Sequence, residues 1–130
     1  MSHIAKIQLQ IKDLDALAAA AESLGCELVR EQKNFLWYAG KRNPCDHVIR
    51  VKNARAGTYE IGVIADGEGN YRLECDFWSS GGLLPIVGQD AQKLRQGYAE
   101  SAATRQAQRQ GFRVQRTVNE NGVVRLRLTK

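Results

Sequence analysis

The chain has 130 residues, 43% apolar and 25% charged, with two Pro and three Cys, a composition that suits one globular domain, residues 1–130, and excludes a disordered chain or a disulfide-built mini-protein. Its formal charge of +5 is uneven: residues 89–130 hold nine Lys and Arg against Asp90, Glu100 and Glu120, a net +6 that leaves −1 for residues 1–88, so an anionic partner is expected for the C-terminal third. No stretch approaches the roughly 20 apolar residues that span a bilayer, and the start has no basic-then-apolar leader pattern, so a cytoplasmic protein with no membrane partner is expected.

Ile7, Leu9 and Ile11 alternate with polar residues and predict a first strand. Asp13 is placed to cap a helix with the apolar stripe Leu14, Leu17, Ala21 and Leu24, which Gly25 ends. Glu27–Glu31 and Phe35–Ala39 read as two strands around Gln32-Lys33-Asn34, and Gly40–Asp46 as a turn-rich connection before a short strand, His47–Lys52. Tyr59, Ile61, Val63 and Ala65 alternate, Asp66–Asn70 turns, and Tyr71, Leu73, Cys75 and Phe77 alternate back, a hairpin with one apolar face. Residues 79–88 form an apolar, Gly-rich connector. Asp90–Gln110 reads as a helix buried through Ala91, Leu94, Tyr98 and Ala102, with Gly97 as a local weak point. Phe112, Val114, Val118, Val124, Leu126 and Leu128 then predict a closing hairpin with its apolar face on the core and Asn121-Gly122 in its turn. Each helix is followed by glycine, strand, turn and strand. The expected fold is α+β, a mostly antiparallel sheet with two helices on one face and two related helix-hairpin halves.

Candidate sites follow from chemistry. Cys45-Asp46-His47 brings a thiol, a carboxylate and an imidazole together, a metal- or thiol-dependent enzyme site that Cys26, Cys75 or His3 would complete, but no Cys-x-x-Cys or His-x-x-x-His spacing supports it. A loop cysteine and a surface histidine are the favoured reading, and His3 reads as structural. Gly67-x-Gly69 joins two strands and opens no helix, so it is a turn and not a phosphate cradle. No motif calls for a cofactor. Trp78, Leu83, Leu84 and Ile86, around the connector, are the expected protein-binding residues. Arg113, Arg125 and Arg127 should project from the polar face of the closing hairpin as a cationic strip for an anion or nucleic acid, extended by Arg105 and Arg109 on the helix.

In order and spacing, several segments resemble the family called hypothetical chloroplast open reading frame 35, of plastids, cyanobacteria and other bacteria. They are Met1-Ser2-His3 with Ile7–Ile11, Asp13–Leu17 through Leu24-Gly25, Tyr59–Gly62, Tyr71–Leu73 with Asp76-Phe77-Trp78, Tyr98-Ala99 with Gln110–Phe112, and the hairpin ending in Arg125-Leu126. The resemblance implies a shared fold and an accessory role beside an AAA-type ATPase; it carries over no catalytic residue, and the connector and the basic hairpin depart from its pattern. The function expected is a non-catalytic binding or adaptor domain in a larger protein assembly, with a nucleic-acid-binding module and the enzyme at Cys45, Asp46 and His47 as alternatives.

Overall fold

The computed structural model describes residues 4–78 and 81–130, with residues 5–9 described by their backbone alone. In chain order the elements are β1 (Ala5–Ile11), α1 (Leu14–Ser23), β2 (Cys26–Arg30), β3 (Asn34–Leu36), β4 (Arg42–Pro44), β5 (His47–Val51), β6 (Ile61–Ala65), β7 (Tyr71–Cys75), α2 (Leu84–Val87), α3 (Gln92–Arg109), β8 (Arg113–Val118) and β9 (Val124–Thr129). The fold is α+β. An antiparallel sheet in the order β1-β7-β6-β5-β2 curls into a half-barrel, and β3-β4 and β8-β9 form separate hairpins.

The alternation of β6 and β7 puts Ile61, Val63, Leu73 and Cys75 on the face that the helices cover, where Leu17, Ala20 and Ala21 of α1 and Leu94 and Tyr98 of α3 join them in one buried cluster. Asp13 caps α1 as expected, accepting hydrogen bonds from the amides of Asp15 and Ala16 at 3.0 and 3.1 Å. Gly97, expected to weaken α3, instead lets the helices approach: a β-carbon there would lie 3.3 Å from Cβ of Ala20. The opposite face of the sheet is covered by the β3-β4 hairpin, whose Phe35 is buried with Cys45 and Val48.

Three expectations change. The segments Glu27–Glu31 and Phe35–Ala39 do not lie in one sheet: β2 pairs with β5, opposing Glu27 to Arg50, whereas β3 ends at Leu36 and pairs with β4 inside the connection read as turns. Glu31 takes a left-handed φ of 66° and donates its amide to His47 Nδ1 at 3.0 Å, which turns the chain out of the sheet. The segments α1-β2-β3 and α3-β8-β9 therefore share their order but not their pairing. The connector is only partly surface, because α2 forms within it and Leu83 and Val87 are buried.

The third change matters most. The β8-β9 hairpin does not close the core: Val118, Val123 and Leu128 are 49%, 51% and 45% exposed, and among the described residues β8 and β9 pair only with each other.

Candidate docking site

The hairpin is built by its turn. Asn119 accepts the Gly122 amide at 3.0 Å and donates its own amide to the Val123 carbonyl at 3.1 Å, while Gly122 takes the left-handed φ of 78° that such three-residue loops require. The register then opposes Val114 to Leu128, Arg116 to Leu126 and Val118 to Val124 on one face, and Arg113 to Thr129, Gln115 to Arg127 and Thr117 to Arg125 on the other. One face is thus aliphatic except for Arg116, and the other collects three arginines. Among the described residues no carboxylate pairs with Arg113, Arg125 or Arg127.

Arg116 ties the aliphatic face to the body through an ion pair with Glu100 of α3. Beside it a groove of about 470 Å³ opens between the hairpin and the helix pair, lined by Ala19, Ala20, Gly97, Ser101, Thr104 and Val114 among others. β8 is the strand nearer the helices, and β9 is the outer one.

Arg105 and Arg109 do not extend the arginine strip. Arg105 reaches Asp13 at 3.0 Å and Asp15 at 3.4 Å, and Arg109 reaches Asp13 at 3.3 Å. Both side chains pair with carboxylates at the start of α1, away from the three hairpin arginines in the contacts they make. Burial pushes the Asp13 carboxyl up, but the Ala16 amide, Arg105 and the Asp15 amide together hold it below its usual value.

Of the four expected partner-binding residues, Leu83 is 1% exposed and is corrected to a core residue, while Leu84 and Ile86 are half-buried. Trp78 is 37% exposed, with its ring 5.3 Å from that of Tyr38. Tyr38, inside the segment Phe35–Ala39 read from the sequence as a strand, is the missed member of this surface aromatic pair. Lys41 sits over the rings of Trp37 and Tyr38, at 5.2 and 5.9 Å from their centroids.

Cys45, Asp46 and His47 are adjacent in sequence, but each side chain is engaged by a different partner. Cys45 is buried beside Phe35 on the hairpin-covered side of the sheet, where its thiol donates to the Gln32 carbonyl at 3.4 Å. Burial, and then the Asp46 carboxylate, push that thiol up to about 11, far from nucleophilic at neutral pH. His47 is buried against Tyr71, with Nδ1 occupied by the Glu31 amide, so the proton of the neutral ring is on Nε2. Asp46 accepts the Ala65 amide at 2.8 Å. Each group is satisfied structurally, and among the described residues no three His, Cys, Asp or Glu side chains converge as metal ligands. His3 lies outside the described residues.

A protein-family model described as "Protein of unknown function (DUF1257)" matches residues 20–127. The chain belongs to this family. The match runs from within α1 into β9, so it leaves out β1 but includes the other strands of the half-barrel and most of the exposed hairpin. Over 133 aligned positions the chain is 30% identical to "Uncharacterized protein ycf35" of Guillardia theta, covering 100% of this chain and 98% of that relative. The resemblance read from the ordered segments is therefore shown, and the DUF1257 description assigns no activity to carry over. No solved structure matches the chain.

Proposed function

We propose that the chain is a non-catalytic binding domain, an adaptor in a larger protein assembly, and that it docks its protein partner through the β8-β9 hairpin. The observation that carries this reading is the aliphatic face of a two-stranded sheet left open to solvent at Val118 and Leu128. An isolated hairpin is marginal in water, and large exposed apolar faces on monomers mark interaction sites. The exposed Tyr38–Trp78 pair offers a second, aromatic contact. An AAA-type ATPase is the assembly that the family resemblance suggests testing first. Three buried cysteines with no disulfide support a cytoplasmic setting, and among the described residues no helix is long and apolar enough to cross a membrane.

A photoreactive amino acid placed at Leu128 and irradiated in the host cell should give a discrete protein adduct, while the same group at Glu68 in the β6-β7 turn should not. Equal labelling from both positions would contradict the reading.

The arginine face favours a second reading, a nucleic-acid-binding module using Arg113, Arg125 and Arg127, since cations with no carboxylate partner among the described residues are available to phosphates. Labelled DNA and RNA titrated at low and moderate salt test it: binding that weakens with salt and is lost when the three arginines become alanine supports it, and no binding at low salt removes it.

A further inference from the structure

The outer strand of the hairpin offers an open backbone edge as well as an open face. Asn119 and Val123 form a hydrogen-bonded position at the turn, so by the antiparallel alternation Arg125, Arg127 and Thr129 bond toward β8, while Val124, Leu126 and Leu128 turn their N–H and C=O groups away from it. Among the described residues no strand pairs with that outer edge of β9.

We infer that β9 receives a third strand from the partner, an extended protein segment in which acidic and apolar residues alternate. The inference rests on the binding-domain reading above and names its mode. A strand laid along β9 continues both faces of the hairpin: one row of its side chains falls beside Arg125 and Arg127, the other beside Leu126 and Leu128. Carboxylates complete the first row and aliphatic groups the second. A nucleic-acid backbone would satisfy the arginines but leave the aliphatic face uncovered. A second copy fits worse, because antiparallel pairing of β9 with itself puts the arginines of both copies on one face, where like charges repel.

The test uses the full chain and a labelled synthetic peptide alternating Glu and Val, beside a peptide of the same composition with the Glu and Val residues in separate blocks. The alternating peptide should bind, lose affinity as salt rises, and slow the amide exchange of Val124, Leu126 and Leu128. The block peptide should protect none of them. Arg125→Glu with Arg127→Glu should weaken the alternating peptide roughly tenfold or more while leaving the far-ultraviolet spectrum unchanged. Equal binding of the two peptides, or binding without protection of those three amides, would overturn the inference. Nucleic acid bound through the same arginines, with no amide protected by peptide, would also overturn it. If the alternating peptide fails while Leu128 still crosslinks to a protein, augmentation is wrong and the binding-domain reading stands; if both fail, that reading falls with it.

Discussion

The Phe35 ring occupies the space in which any side chain at position 62 would stand: a β-carbon on Gly62 would lie 2.4 Å from Phe35 Cδ1 and 2.6 Å from Cε1. Gly62 is the second residue of β6, between Val48 of β5 and Glu74 of β7, so its backbone cannot retreat without breaking two ladders. Phe35 is likewise held, since the Leu36 amide donates to Glu60 Oε1 at 2.9 Å and the Glu60 amide to the Leu36 carbonyl at 2.9 Å. Gly62→Ala should therefore cost about 1–3 kcal/mol, the range for overpacking. Urea unfolding checks it; an unchanged midpoint would mean that the β3-β4 hairpin is not seated on the sheet.

The second close approach is between the helices. Replacing Gly97 by Leu improves helix propensity by nearly 1 kcal/mol in isolation, but the side chain must displace Ala20, 3.3 Å from the first atom added. Gly97→Leu should therefore lower stability in spite of its propensity, and a rise in melting temperature would place the helix crossing elsewhere.

Asp13 links the two helices electrostatically. Its folded pKa is below the ordinary carboxylate value, so its contribution is complete above the unfolded pKa, about 3.9, and is lost as pH falls through the lower folded value. Asp13→Asn keeps a capping group but not the charge. The stability gap between parent and variant should be present near neutral pH and shrink on acidification below about pH 4. A gap independent of pH would show that Arg105 and Arg109 contribute nothing through Asp13.

Cys45 tests the structural reading of the Cys45-Asp46-His47 segment. With its thiol pushed up to about 11 and the side chain buried, it should resist iodoacetamide at neutral pH in the folded protein and react once denatured, as should Cys26 and Cys75, whose thiols burial also pushes up. Rapid labelling of Cys45 in the native state would reopen the thiol chemistry.

Periodicity made much of this fold legible, and its failures have one physical cause. The β6-β7 hairpin and the buried stripe Leu94–Tyr98 were readable because their neighbours are near in sequence or repeat at a fixed spacing. The pairing of β2 with β5 was not, because alternation says which face of a strand is apolar and not which strand adjoins it. The same ambiguity hid the hairpin's exposure: Val114, Val118, Leu126 and Leu128 give one pattern whether they cover this chain's own core or await another surface. Arg105 and Arg109 looked available because Asp13 is about 90 residues away in the chain, though it is 3.0 and 3.3 Å away in space. The strip Arg113, Arg125 and Arg127 was legible, since a turn and a register are all it needs.

The claim that the hairpin's aliphatic face is spare to the fold is tested most directly by the unfolding free energy of the Val118→Ser, Leu128→Ser double variant. The exposure of both side chains predicts a value within about 0.5 kcal/mol of the parent, as for surface substitutions. A loss of about 2–5 kcal/mol, the scale of deleting a buried leucine, would contradict it and return the hairpin to the core.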